Sequence, residues 1–363
     1  VIPLLKPSCS EQEIANVTDV LRSGWWGMGP KCEEFEQKLA ERYERKHCVT
    51  VNSATAALHL ALKAHGIGPG DEVILPALTF VSTALAVEYC GAKPVFADVS
   101  PKTLCIDWDS VGECCSVRTA AVIPVDYAGY PAMEGEPDSV LIVQDAAHSC
   151  GGIGYGDLIC LSFHPVKPLA TGDGGAILTD NDEEAERLRS LRWCGIDKST
   201  WERARQKYGW DYSIQAIGYK YHWNDLQAAI GLAQLERLDE MTERRRQIAT
   251  CYTAAFKPLE GRGLIQCPAV HDRHTWHLYV IRVDADARNQ LIDHLTNQGI
   301  SAGVHYKPLT HYRMWQGQRG NLPVTEREWQ RMVSLPIYPD MTEEEQLRVI
   351  NAVREFFEQR QYA

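Results

Sequence analysis

Seven short apolar runs constrain what these 363 residues can fold into more than any other feature: His47–Val51, Glu72–Leu75, Pro94–Ala97, Ala120–Pro124, Ser139–Gln144, Leu158–Phe163 and Gly175–Thr179. Each is too short for a buried helix and is flanked by turn residues, so each reads as a strand. Helical segments lie among them. Ala54–Ala64 is Ala/Leu-rich and closed by Gly66, and Phe80–Tyr89 and Glu183–Arg192 follow later. Upstream, Ser10 with Glu13 caps a helix over Glu11–Leu21, and Pro30 opens another through Tyr43, with Phe35, Leu39 and Tyr43 at helical spacing. Short buried strands alternating with helices predict an α/β fold with a mostly parallel sheet covered on both faces. Ligands on such sheets sit at the loops leaving the strand C-termini.

Beyond this alternation, Cys194–Tyr221 is long, aromatic and polar without a period, and loops of that length are commonly functional. A long helix from Asn224 to about Phe256 leads into a second region. There Trp276–Val283 reads as a strand, and Asp286–Gln298 and Glu343–Arg360 as helices. The expected division is a large domain over residues 1–245 and a smaller one over 246–363, with no internal repeat.

Charge limits the partners. With 37 Lys+Arg against 48 Asp+Glu the net charge is −11, which argues against nucleic acid or an anionic membrane surface. No apolar run approaches the roughly 20 residues that span a bilayer. The opening Val1–Pro7 lacks a signal-like apolar stretch. The 12 cysteines are scattered without a C-x-x-C pair, so they are expected to be reduced, mostly buried thiols in a cytoplasmic protein. His271, His274 and His277 have ligand-like spacing but no carboxylate-rich partner cluster, and no metal is expected. The run Arg244–Arg246 reads as a solvated helix face.

Three segments could carry chemistry. In Val51–Ala57 a strand runs through small residues into a helix, where backbone amides and the helix N-terminus attract phosphate; a plain Ser/Thr cap gives the same pattern. Asp145 ends the apolar run Val140–Val143 plus Gln144, where an unpaired charge is costly. Its partner is either a protonated ring nitrogen or an arginine elsewhere. Lys167 follows the Leu158–Phe163 strand, five residues after Ser162 and just before Gly172–Gly175. Such a lysine, desolvated, can act as a Schiff-base nucleophile, or it can simply reach solvent. Their order along the chain is what decides. A phosphate-type turn, an aspartate and then a lysine describe a site for pyridoxal phosphate.

On these residues the chain resembles the DegT/DnrJ/EryC1/StrS family of sugar aminotransferases, nearly end to end. The likeness covers Ser23-Gly24-Trp25, Gly29-Pro30-Lys31, Ser53–Ala56, Asp145–His148, Ser162-Phe163-His164 with Lys167, Gly218–Tyr221 before Asn224-Asp225, Trp276–Leu278 and Leu335-Pro336. Within the family it most resembles the 4-amino-4-deoxyarabinose aminotransferase type, and nucleotide-sugar C4-aminotransferases as a group are similar. The resemblance implies the type I pyridoxal phosphate transferase fold (aspartate aminotransferase-like), with a small α+β C-terminal domain and a homodimer.

The same resemblance implies roles for single residues. Lys167 would be the Schiff-base lysine, Asp145 the ring-nitrogen partner, and His148 a neighbour of the phenolic oxygen. Thr55, Ala56 and Ser162 would hold phosphate, with Phe80 stacked on the ring. A partner-subunit loop completes the phosphate site in this family. Here it corresponds to Gly218–His222, with His222 where the family often has Asn and Lys220 nearby; either side chain could be the one that crosses. Trp25, His305 and Tyr306 fall in regions that approach the sugar nucleotide, and the tryptophan suits a packing role equally. The implied reaction takes an amino group from glutamate and gives it to a keto-sugar nucleotide, in two halves through pyridoxamine phosphate. Two other readings are a dehydratase on the same scaffold and a non-catalytic sugar-nucleotide binder. The known dehydratase branch has histidine in place of the lysine. Spacing to Gly172–Gly175 puts Lys167, not His164, at that position.

Overall fold

The computed structural model describes residues 1–133, 140–318 and 320–360. Ser139, the first residue of the expected fifth strand, lies outside them. Helix α1 (Glu11–Ser23) starts in a capping box, with Ser10 accepting from the Gln12 amide and Glu13 accepting from the Ser10 amide. Then come α2 (Pro30–Arg42), β1 (His47–Val51), α3 (Ala54–Ala64), β2 (Glu72–Pro76), α4 (Val81–Tyr89), β3 (Lys93–Ala97), α5 (Trp108–Cys114), β4 (Thr119–Val122), β5 (Leu141–Asp145), β6 (Leu158–Ser162), β7 (Gly175–Thr179) and α6 (Asp182–Arg192). A short α7 (Thr200–Ala204) lies in the stretch without a period, and α8 (Asp225–Gly261) follows it.

The first seven strands form one sheet in the order β1-β7-β6-β5-β4-β2-β3. The pairs from β3 across to β6 are parallel, and β7 runs antiparallel to both β6 and β1. Reversing direction twice brings the C-terminal end of β1 to the same edge as those of β5 and β6. The β1–α3 turn, Asp145 and Ser162 therefore share that edge. Gly175 lets the start of β7 approach closely there: a Cβ on it would sit 2.7 Å from the Leu161 carbonyl oxygen and from the Ser53 carbonyl carbon.

The 37-residue α8, about 55 Å long at 1.5 Å per residue, packs against α1 and α2 near one end and reaches the second sheet with the other. It continues through Pro258 to Gly261, beyond the expected end at Phe256. The remaining elements are β8 (Ile265–Gln266), β9 (Tyr279–Val283), α9 (Ala285–Asn297), α10 (Pro323–Glu328), β10 (Met332–Leu335) and α11 (Glu343–Gln359). The order β10-β9-β8 makes a three-stranded antiparallel sheet. The N-terminus joins this body, because Ile2 pairs with Ile300 and is buried among residues of α9 and α11.

Two sequence expectations need correction. Strand β9 starts at Tyr279 rather than Trp276, because Trp276 has φ +53°, outside the extended region, and its amide donates to His274 Nδ1. Arg245 is not on a solvated face: it is 3% exposed, between Arg244, which donates to the Met341 carbonyl, and Arg246, which pairs with Glu243.

Helix α2 has glycine at its N-cap and no side-chain cap of its own. The buried Asp225 supplies one from α8, accepting the Gly29 and Cys32 amides on Oδ1 (2.9 and 3.0 Å) and the Lys31 amide on Oδ2. Asp225→Ala leaves those donors unsatisfied and should lower the unfolding free energy of the apoprotein by about 2–4 kcal/mol. Denaturant melts of the two proteins measure this, and an unchanged midpoint would refute the capping role.

Candidate active site

At the shared edge lies a cavity of about 340 Å³. Ser53, Ala54 and Thr55 at the start of α3 form one wall, and Asp145 and Ser162 at the ends of β5 and β6 form the floor. Lys167 comes from the turn after β6, Phe80 precedes α4, and His148, His305 and Tyr306 close the remaining side. The structure thus brings together Thr55, Phe80, Asp145, His148, Ser162, Lys167, His305 and Tyr306.

Asp145 is 4% exposed. Its Oδ2 accepts from Thr83 Oγ1 at 2.8 Å and its Oδ1 from the Ala147 amide at 3.2 Å. Burial pushes this carboxyl above its usual range; the Thr83 and Ala147 hydrogen bonds, and more weakly the Lys167 charge, pull it back. Burial acts on Lys167 in the opposite sense, lowering its amine to about 8 against the pull of Asp145. Both groups are therefore held toward neutrality in a low-dielectric pocket, the condition in which a charged or covalent partner gains most.

Near the start of α3, Ser53 Oγ accepts the Ala56 amide at 3.1 Å, and Thr55 Oγ1 donates to Ser82 Oγ at 2.8 Å. Ala56 is itself buried behind the cavity wall. With Ser162, these hydroxyls and the helix N-terminus make an anion-attracting corner. Sequence reasoning passed over Ser82 and Thr83, whose only signal is a hydroxyl-rich helix start, Thr79–Thr83, directly after β2.

Three of the singled-out residues lie elsewhere. Lys220 Nζ sits 3.4 Å from the centroid of the Trp193 ring, and His222 packs edge-on against the same indole at 4.3 Å. Burial, then the charges of Lys220 and Arg192, lower the His222 imidazole to about 4. Trp25 packs against Trp201 with ring centroids 4.8 Å apart. Of the three spaced histidines, His274 stacks on Trp276 and accepts its amide, His271 accepts the Arg273 amide, and His277 packs beside His148 at 4.5 Å. Among the described residues no group of three or more His, Cys, Asp or Glu could hold a metal ion.

The DegT/DnrJ/EryC1/StrS aminotransferase family model matches residues 7–354. The spore coat polysaccharide biosynthesis protein SpsC of Bacillus subtilis is 40% identical, over 98% of this chain and 96% of its own. Among solved structures, the aminotransferase TlmJ from Streptoalloteichus hindustanus superposes with a TM-score of 0.91 at 33% identity, covering 99% of both chains. NtdA from Bacillus subtilis, solved with bound cofactor PMP, superposes with a TM-score of 0.86 at 29% identity, over 96% of this chain and 82% of its own.

Proposed function

This chain belongs to the DegT/DnrJ/EryC1/StrS aminotransferase family, and on that premise we propose that it is a pyridoxal phosphate-dependent enzyme moving an amino group from glutamate to a keto-sugar nucleotide, at C4 of the sugar. One observation carries the reading. A buried carboxylate, Asp145, and an amine held near neutrality, Lys167, line one cavity beside a helix N-terminus. Similar aminotransferases, one of them solved with PMP, support it.

The residues present suit that cofactor. Asp145 has neutral donors on both oxygens and, among the described residues, no cation at hydrogen-bond distance, so a protonated ring nitrogen would complete it. Ser53, Thr55 and Ser162 lie where a phosphate would meet the α3 N-terminus, and Phe80, 53% exposed in the protein alone, offers a ring face at the mouth. The cavity volume falls in the range of small-molecule sites. When bound, the cofactor supplies an aldehyde carbon for the lysine, a ring that stores the electrons of a breaking C–H bond, and a carrier for the amino group between two halves of a ping-pong reaction. The protein's part is then specific. Asp145 keeps the ring nitrogen protonated, and the Lys167 Nζ moves a proton as base and then acid. The hydroxyls and the helix end hold the phosphate.

We extend the proposal to a homodimer in which Lys220 or His222 serves the partner's cavity. Neither lines the cavity of its own protomer, and Trp210 and Ile217, earlier in the same stretch of chain, are 76% and 91% exposed in the single chain. The division near residue 245, within α8, stays part of this reading. So does a cytoplasmic setting, with all twelve cysteines as free thiols.

Absorbance tests the core of the proposal. The cofactor-loaded protein should show a band near the visible edge that shifts on adding glutamate, and a panel of keto-sugar nucleotides should restore it. A band that no amino donor shifts would sink the proposal.

A further inference from the structure

We propose that His59, which lies outside the cavity, is a positioning residue for the partner's site. Through Tyr219 and Tyr221 it holds the 218–222 segment so that Lys220 and His222 face away from their own α3. This rests on the homodimer reading above. Backbone bonds set the geometry first. The Tyr221 amide donates to the Arg192 carbonyl at 3.0 Å and the Cys194 amide to the Tyr219 carbonyl at 2.9 Å, around an antiparallel bridge between Trp193 and Lys220. The Asn52 amide, just after β1, donates to the Tyr221 carbonyl at 2.7 Å. The segment is thereby held extended, and extended backbone sends successive side chains to opposite sides.

That alternation sorts four side chains into two pairs. Tyr219 and Tyr221 stack on each other, with ring centroids 5.1 Å apart and planes 17° from parallel. Both meet the His59 ring on α3 edge-on, at 4.7 and 5.9 Å. Lys220 and His222 form the other pair, against the Trp193 indole. Whatever fixes the two tyrosine rings therefore fixes which way Lys220 and His222 face.

His59 is poorly chosen for packing alone. It is 3% exposed on a helix where Leu58 and Leu60 are equally buried, and its Nε2 has no hydrogen-bond partner among the described residues. An unmet buried polar atom costs stability, and leucine would avoid that cost. Burial, then the Lys63 charge, lowers the imidazole to about 4, so it is neutral at pH 7. Its Nδ1 lies 3.3 Å from the Tyr221 hydroxyl, and Tyr89 packs edge-on against the ring at 5.7 Å. The polar side of His59 is thus directed at the segment that carries Lys220 and His222.

Mixed dimers test this. His59→Leu homodimers should hold pyridoxal phosphate about tenfold more weakly, as loss of one charge-assisted contact predicts. Capture of pyridoxal, which has no phosphate, should stay within about twofold. Tyr221→Phe keeps the ring, removes the hydroxyl and should show the same pattern. The denaturant midpoint of the His59→Leu apoprotein should equal or exceed that of the wild type. Pairing one His59→Leu chain with one Lys167→Ala chain leaves a single cavity that has its lysine and faces an intact segment from its partner. That mixed dimer should recover about half the wild-type rate, with wild-type affinity for pyridoxal phosphate. A fault confined to the His59→Leu chain would not be relieved by mixing. A mixed dimer without recovery, equal weakening of pyridoxal and pyridoxal phosphate, or a lowered midpoint would overturn this proposal alone. A cofactor-loaded wild-type chain that sediments as a monomer would overturn the homodimer reading, and this proposal with it.

Discussion

Replacing Lys167 by alanine should end amino transfer, lowering kcat/KM by at least about 10³-fold, because in the proposed mechanism one side chain would supply both the nucleophile and the proton carrier. The substitution removes a buried amine and leaves the rest of the cavity in place: Asp145 keeps its bonds to Thr83 and Ala147, and the α3 end keeps its Ser53 cap. The variant should therefore still take up the cofactor, but without a covalent link. Borohydride treatment followed by mass measurement distinguishes the two proteins, with the added mass retained after unfolding only in the wild type. The pH dependence of capture is a second readout. Burial disfavours the ammonium form and sets Lys167 near 8, so capture by wild-type apoprotein should accelerate as pH rises through 8 and level off above it. A Lys167→Ala protein that still completed both half-reactions would remove the mechanism.

Much of this site was legible in the sequence, for a reason that lies in the sheet. A fully buried strand between helices leaves a short apolar run, and β1 and β7 match their runs residue for residue. The end of such a run marks the strand's C-terminal end; Asp145 follows one run and Ser162 lies at the end of another, so both could be placed on one edge from the sequence. Other elements had no such signature. Helix α5 buries only Val111 and has Gly112 in its middle, and β10 is four residues long. Contacts between distant segments were also beyond reach. Ser82 and Thr83 look like ordinary helix-start residues until the fold sets them against Thr55 and Asp145. The Ala128 amide that meets His148 belongs to a strained turn that no periodicity announces. Arg245 shows the reverse error, since three consecutive arginines suggest a wet surface, yet a helix turns each one toward a different neighbour.

Asp145→Asn should separate function from folding. Asparagine keeps the shape and can still accept the Ala147 amide, but it carries no charge to hold a ring nitrogen protonated. Breaking a buried charge pair from one side costs about 3–5 kcal/mol, so transfer should fall roughly 10²- to 10⁴-fold, with the glutamate half-reaction slowed at least as much as the sugar half. Stability of the apoprotein should move the other way. Burial raises this carboxyl, so the folded state favours the proton, and ionisation at neutral pH works against folding until a cation arrives. The wild-type apoprotein should accordingly gain stability as pH falls toward the raised value, whereas the Asn variant should lack that gain and be at least as stable at pH 7. Denaturant melts of both apoproteins at two pH values, set beside single-turnover absorbance with glutamate, give the paired result. A variant that lost stability at pH 7, or kept transfer within tenfold of wild type, would show Asp145 to be a structural carboxylate instead of the group that completes the cofactor.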